Sequence, residues 1–494
     1  MAQHADIKSA GPAPISKRDI QTEIDNEWTS LLKIFDGLRA VTTPGTDEPI
    51  KKSPTRQERA GVEGLGVPGP PHPISQVIEE AYTIFDYRLR LNDPSCFEFI
   101  PSSSSQLAWL ADVLVSAFNA NAAGSFTAAV PWAVENALVG WLASKVHFPP
   151  TAGGIFTSGG SMANMMAIAI ARDTKIRPSE FPKATMYVSD QTHFCLSKAV
   201  KVLGFQEHQI KTVTSDSSYR MNIESLRTQV IQDRDNGMCP FLVVASFGCT
   251  VTGAIDSIEK IAEVAYNESL WLHVDGAYGA SAALSRSRPE IATELEGADS
   301  IAWDGHKWLF QTYGCGMLLV REKCRLLSSF QVQSSHIDYL AQNDSEPELY
   351  DMGLELTRPA RAMSLWFTLR TLGIDRVGAL IDHGIDLAEM VQGEVKQLPG
   401  WEILTPATLA IINFRYRPGR CTEEQLNKVN SEVSQRLMAS NTAAIMTVKL
   451  RGKVALRMCC INTRIGCRDV KRLVYVLNNT ARSALEDMVL GDSI

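Results

Sequence analysis

Ser300-Ile301-Ala302-Trp303-Asp304-Gly305-His306-Lys307-Trp308 sets one lysine between a histidine and a tryptophan. A short apolar run precedes it, and the Gly-rich Tyr313-Gly314-Cys315-Gly316-Met317 follows. A lysine so enclosed either snorkels its ammonium to water or finds a partner, because losing hydration is costly. Its neutral amine is a nucleophile that forms Schiff bases with aldehydes. The stretch alone does not choose between these readings. Its surroundings do.

On both sides, short apolar runs recur at 185–188, 241–245, 272–274, 300–302 and 317–320. Helical patterns lie between several of them, around 223–233 and 258–267, and others precede them at 107–118, 133–146 and 162–172. Near-continuous apolar strands alternating with helices predict an α/β fold with a mostly parallel sheet covered on both faces. Ligands in such folds collect beyond the carboxyl ends of the strands. A long helical stretch at 362–398 leads to strands at 409–416, 443–448 and 454–460 and helices at 423–439 and 469–488, a small C-terminal α+β domain. The start is polar to about residue 17, helical over 20–38 and 74–91, and rich in Pro, Gly and charge between. The expected organisation is an N-terminal helical segment over 1–106, a large α/β domain over 107–395 and the small domain over 396–494.

Composition narrows the function. The chain has 494 residues, 45% hydrophobic and 21% charged, with a net charge of -7. Those are ordinary globular values, and the acidic balance argues against nucleic acid as a partner. No apolar run approaches a membrane span. The ten cysteines form no CxxC pair, so no metal site is expected and reduced thiols in a cytoplasmic protein are.

Three further stretches carry chemistry. Gly153-Gly154-Ile155-Phe156-Thr157-Ser158-Gly159-Gly160-Ser161 runs into the 162–172 helix. Its glycines let a backbone approach an anion, and the helix start favours a phosphate. Leu272-His273-Val274-Asp275-Gly276-Ala277-Tyr278-Gly279 ends a strand on an acid, which either caps a turn or holds a protonated ring nitrogen. Ser189-Asp190-Gln191-Thr192-His193-Phe194 follows a strand with a histidine able to stack on a flat ring. Gly159, Gly160 and Ser161 for a phosphate, His193 and Ala277 for two ring faces, Asp275 for the nitrogen and Lys307 for an aldehyde meet one need together. Pyridoxal 5'-phosphate is the cofactor that asks for all four.

The chain resembles the group II pyridoxal-phosphate-dependent amino-acid decarboxylases, which include aromatic-L-amino-acid, glutamate and diaminobutyrate enzymes. The matching stretches are Phe99-Ile100-Pro101-Ser102, 157–164, Thr192-His193-Phe194, Ser197-Lys198-Ala199, Gly248-Cys249-Thr250, 273–278, Asp299-Ser300, His306-Lys307 and Leu456-Arg457. They run in family order from about residue 75 to the C-terminus. The resemblance implies the fold type I transferase architecture with a seven-stranded sheet. It implies Lys307 as the cofactor lysine, Asp275 at the pyridine nitrogen and His193 stacked on the ring. Gly159, Gly160, Ser161, Thr250, Ala277 and His306 join them around the cofactor. Phe99, Ile100, Pro101 and Ser102 would line the substrate pocket. It also implies a loop tyrosine that protonates the substrate carbon; Tyr339 stands where it is expected and Tyr350 is its rival. Departures are Asp93-Pro94 for the family's His-Pro, Cys195 for a common serine and Gly276 for an alanine of the aspartate motif.

The implied activity is decarboxylation of an L-amino acid to its amine, with an aromatic substrate as the leading expectation. An aliphatic or acidic substrate, a decarboxylative aldehyde synthase or carbon-carbon bond-forming enzyme, and a non-catalytic cofactor-binding protein are the alternatives. The family resemblance also implies a homodimer with its active site at the interface, to which residues 20–91 would contribute helices.

Overall fold

The computed structural model describes residues 34, 48–66, 70–100, 104–332, 347–419 and 421–491. It divides into two units, 1–90 and 91–494. In the first, the helix Arg56–Leu65 begins with a capping box between Thr55 and Glu58, which satisfies two amides the first turn leaves open. The helix Ile74–Asp86 follows, and Arg90 reaches back to its Asp86 at 3.2 Å. That helix leaves Ile74, Val77, Ile84 and Phe85 exposed.

The second unit holds a seven-stranded sheet of β1 (Gly153–Thr157), β2 (Ala184–Ser189), β3 (Ile210–Val213), β4 (Cys239–Ser246), β5 (Trp271–Asp275), β6 (Ser300–Asp304) and β7 (Gly316–Val320). Their order is β1-β7-β6-β5-β4-β2-β3. All run parallel except β7, which pairs antiparallel with both neighbours. Alternate residues of each strand enter different cores. Val243, Ala245, Trp303 and Leu319 belong to one apolar cluster; Leu242, Val244, Ala302 and Leu318 belong to the other. A two-residue side-chain period with both faces covered explains why these strands read as continuous apolar runs.

The reversal of β7 decides what lies beside what. Its first residue, Gly316, pairs with Thr157 at the end of β1 and with Asp304 at the end of β6. The loop entering the helix Gly160–Lys175 is thereby set against the turn that carries Lys307.

C-terminal to this sheet, the expected helical stretch is two helices, Ala362–Leu372 and Ile374–Lys396, broken at Gly373 with φ +74°. The four-stranded antiparallel sheet beyond them is ordered β10-β11-β9-β8, from β8 (Trp401–Thr408), β9 (Ile411–Tyr416), β10 (Met446–Leu450) and β11 (Lys453–Cys459). Its inner residues, among them Ile411, Phe414, Leu456 and Met458, share a cluster with the large sheet. Tyr278 Oη accepts the Ala410 amide at 3.2 Å across that junction. Among the described residues no helix is long and apolar enough to cross a membrane.

One buried ion pair anchors β1. Arg358 Nη1 lies 2.8 Å from Glu135 Oε1, both side chains almost wholly inaccessible. Glu135 also accepts the Phe156 amide at 3.0 Å, and Arg358 Nη2 donates to the Phe156 carbonyl at 2.7 Å. Removing one partner strands the other charge in the core. Arg358→Met should therefore lower stability by roughly 3–5 kcal/mol, read as a shifted urea unfolding midpoint.

Candidate active site

At the carboxyl edge of the sheet, a cavity of about 610 Å³ opens among the ends of the parallel strands. That is room for a small cofactor with a substrate beside it. Its wall includes Gly159, Gly160, Ser161, His193, Thr250, Asp275, Ala277, His306 and Lys307, which the sequence marks for the cofactor, and Phe99 and Ile100, marked for the substrate. Pro101, Ser102 and Tyr339 lie outside the described residues. Tyr350, the rival of Tyr339, is not on the cavity wall; it packs beside Gly124, where an added Cβ would come within 3.2 Å of its ring.

The lysine stands on the one-turn helix Gly305–Trp308, directly after β6. Its Nζ lies 3.1 Å from Asp304 Oδ2, and Asp304 is only 2% exposed. The partner that an enclosed lysine requires is thus three residues away, in the quoted stretch itself. His306 Nε2 approaches the same Asp304 oxygen at 3.5 Å, and burial holds the His306 imidazole below its usual pKa.

The glycine cradle beside them is built by close backbone approach. A Cβ on Gly316 would meet Gly159 Cα at 2.4 Å, and one on Gly160 would meet Asp304 Oδ2 at 2.9 Å and Ala277 Cβ at 3.0 Å. Gly159 itself has φ +151°, in the region glycine favours. Two buried polar atoms here, Asp304 Oδ1 and His306 Nδ1, have no hydrogen-bond partner among the described residues. An amide-lined cradle at a sixteen-residue helix start, an amine beside it and unspent polar atoms fit a phosphorylated aldehyde.

His193 follows β2, and its Nδ1 accepts the Cys195 amide at 3.3 Å, which leaves the neutral ring's proton on Nε2. Burial, with Lys307 adding to it, lowers the pKa of His193 against the opposing pull of Asp275. Asp275 ends β5 and accepts the Ala277 amide at 3.2 Å, so the acid is oriented while its other oxygen is left for the cavity. Cys195, at the position of the family's serine, is a buried thiol pushed up to about 12.

Two features lie in matched stretches that gave them no role. The first is Arg457 on β11, 2% exposed and on the cavity wall. Its Nη1 donates to the Glu98 carbonyl at 2.9 Å, while buried Nε and Nη2 have no partner among the described residues. Its signals in the sequence are the Leu456-Arg457 match to the family and its place inside the apolar run 454–460, neither of which gives it a role. The second is a buried hydrogen-bond chain behind the cradle. Trp271 Nε1 donates to Ser300 Oγ at 2.9 Å, and that hydroxyl lies 2.9 Å from His273 Nδ1. His273 Nε2 meets Asn164 Oδ1 at 2.8 Å, and Asn164 Nδ2 donates to the Gly160 carbonyl at 2.8 Å. Since the Asn164 amide donates to Gly160, its oxygen must accept from His273, so the proton is on Nε2. The chain ties β5 and β6 to the first residue of the cradle helix.

Fold and site together define a pyridoxal-phosphate-dependent enzyme. A model of the pyridoxal-dependent decarboxylase conserved domain matches residues 59–417. An aromatic-L-amino-acid decarboxylase of Bacillus atrophaeus is 35% identical over 400 residues, covering 81% of this chain and 83% of that one. An L-2,4-diaminobutyrate decarboxylase of Rhizobium meliloti (strain 1021) is 31% identical, covering 76% and 75%. A phenylacetaldehyde synthase of Arabidopsis thaliana is 28% identical, covering 79% and 82%. The crystal structure of Oryza sativa TDC with PLP and tryptamine superposes with a TM-score of 0.86 at 24% identity, covering 96% of this chain and all of that one. The chain belongs to the pyridoxal-dependent decarboxylase family, and is a pyridoxal-phosphate-dependent carboxy-lyase acting on an amino acid.

His273 makes the folded state sensitive to acid. Burial depresses its pKa to about 4, below an unfolded value near 6.5. Below pH 6.5 the unfolded chain therefore binds the extra proton first. This contribution to stability is complete above pH 6.5 and is lost as pH falls toward 4, roughly 3 kcal/mol in all. Denaturation midpoints against pH should show that fall in wild type and a shallower one in His273→Gln.

Proposed function

We propose that this enzyme decarboxylates an aromatic L-amino acid to its amine and carbon dioxide, as a homodimer in the cytoplasm. The supporting observation is the balance of charge on the cavity wall. Among its described residues the permanent cations are Lys307 and Arg457, and Lys307 is paired with Asp304. Arg457 has two donors, Nε and Nη2, without a partner among the described residues, which suit one carboxylate. The acids Asp275 and Asp304 stand at the cofactor end. A substrate with a second carboxylate or a second amine would lack a partner, whereas Phe99, Ile100, Phe194, Tyr313 and Met446 offer an apolar and aromatic wall.

Bound in this cavity, pyridoxal 5'-phosphate supplies an electron-poor ring that accepts the electron pair of the breaking bond between Cα and the carboxylate. Lys307 would hold the aldehyde end through its amine. Asp275 keeps the ring nitrogen protonated, because a carboxylate at that atom favours the charged form. His193, neutral and protonated on Nε2, covers one ring face and Ala277 the other. Gly159, Gly160, Ser161, Thr250 and His306 hold the phosphate end. Arg457 orients the substrate carboxylate, and Tyr339 returns a proton to Cα. Phe99 to Ser102 bound the side chain.

The dimer rests on exposed apolar surface. In the helix Gln106–Phe118, Leu110, Leu114 and Phe118 recur four residues apart, and Phe126 and Val130 do the same in the next helix, Ser125–Lys145. Phe118 is 82% and Phe126 79% exposed, which a second copy would bury. At the cavity mouth Phe194 and Tyr313 are 64% and 69% exposed, so the site also lacks a wall. All ten cysteines are free, which suits a reducing compartment. In sedimentation, Phe118→Asp should shift the protein toward monomer and lose activity with it.

The direct test is a product assay of the cofactor-loaded enzyme against aromatic, acidic and diamino L-amino acids, with carbon dioxide and oxygen followed. Aromatic amine without oxygen use is expected. Arg457→Met should lower kcat/KM by roughly thirtyfold or more, since it removes a buried charged contact worth about 2–5 kcal/mol. Turnover of glutamate in preference to aromatic substrates would contradict the pocket reading, and aldehyde with oxygen consumption would contradict the role of Tyr339.

A further inference from the structure

Asp304 occupies a place that the cofactor lysine and the phosphate both need. Its carboxylate is 2% exposed at the end of β6, with Oδ2 3.1 Å from Lys307 Nζ and 3.5 Å from His306 Nε2. Its Oδ1 is buried without a hydrogen-bond partner among the described residues. The same group fronts the phosphate cradle: a Cβ on Gly160 would lie 2.9 Å from Oδ2, and one on Gly316 would lie 2.6 Å from Oδ1. In the empty site, the Lys307 ammonium is the permanent cation that offsets this buried charge.

Loading the cofactor dismantles that pair. Lys307 Nζ forms a double bond to the aldehyde carbon, the carbon-oxygen bond breaks, and the oxygen leaves as water with two of the three ammonium protons. The nitrogen falls from three N–H groups to one, so at most one donor is left to face Asp304, and its positive charge is shared with the cofactor. A phosphate carrying about two negative charges enters the cradle at the same time. A buried carboxylate whose donors are reduced while a dianion arrives beside it is disfavoured, and nearby negative charge favours protonation.

We propose that cofactor loading is coupled to uptake of one proton by the Asp304–His306 pair, so that the loaded enzyme holds there a proton the empty enzyme lacks at neutral pH. The other groups facing this space do not supply it. Asp275 at the end of β5 adds negative charge, and His193 after β2 belongs to the ring. Cys195, from the helix Cys195–Val202, and Cys315, just before β7, are thiols that burial pushes far above neutrality. His306 is the neutral base within reach, kept so in the empty site by burial. In the loaded enzyme its imidazolium, or the protonated Asp304, lies between carboxylate and phosphate and compensates both.

This inference rests on the cofactor and not on the aromatic substrate. Its test is calorimetric titration of the cofactor-stripped full chain with pyridoxal 5'-phosphate at pH 7.5, in two buffers of different ionisation enthalpy. The heats give the net protons exchanged, and the absorbance change reports binding independently. Wild type should take up close to one proton, and its affinity should weaken up to about tenfold for each pH unit above neutrality. Asp304→Asn, which keeps the shape and removes the charge, should take up at least about half a proton less and show a flatter pH dependence. Wild type binding with no uptake, or with release, overturns the proposal whatever the variant does; so do equal counts in the two proteins. Absence of any absorbance change would sink the cofactor assignment as well, and is thereby told apart.

Discussion

Insertion of one antiparallel strand between two parallel ones is the constraint on which the site depends. Gly316, at the start of β7, pairs with the last residues of β1 and β6 and has room for no side chain. Because β7 reverses direction, its first residue lies level with the ends of its neighbours. The phosphate loop after β1 and the lysine turn after β6 are therefore forced together at one sheet edge. Were β7 parallel, its own carboxyl end would stand between them. The contact that results, Lys307 against Asp304 beside Gly159 and Gly160, follows from this register.

Around that contact the protein spends buried polar groups sparingly and in linked sets. Glu135 and Arg358 hold the Phe156 backbone that delivers the phosphate loop. The chain from Trp271 through Ser300, His273 and Asn164 holds Gly160 from behind. Both sets fix backbone, which is how a cavity edge made largely of glycine can stay in place. The chain through Ser300, His273 and Asn164 is bonded along its length, which rigidifies it, whereas the first set leaves Glu135 Oε2 and Arg358 Nε buried without a hydrogen-bond partner among the described residues. Backbone support and cavity wall thus reside in different residues: Glu135, Arg358 and His273 supply the first, Lys307 and Asp275 the second.

The sequence was most legible where burial was complete. β4 to β7 are covered on both faces, so each appears as an apolar run. β3 and β8 are edge strands with half-exposed residues, and their mixed pattern did not read as strand. In the sequence β1 looks like a glycine loop, since its identity as a strand depends on pairing with β7, from Gly153 with Val320 to Thr157 with Gly316. The single helical stretch over 362–398 concealed a break at Gly373. At the site, the residues that end strands were legible because strand termini carry chemistry in such folds. The roles of Arg457, His273 and Asn164 were not, although all three fall in stretches that match the family. A polar residue in an apolar run has no meaning until its partner, far away in the chain, is known. Asp304 was within the opening stretch, yet its pairing with Lys307 needed the turn between them to be seen.

The central claim is that the chain's cofactor chemistry is anchored on Lys307, inside the cradle that β7 creates. Borohydride reduction of the loaded enzyme, followed by proteolysis and mass spectrometry, tests it most directly. Reduction makes the lysine–cofactor bond permanent. A phosphopyridoxyl mass on the peptide containing Lys307, and on no other lysine, is the predicted result. Stoichiometric label on a different lysine, or none on Lys307 in the fully loaded enzyme, would contradict the account.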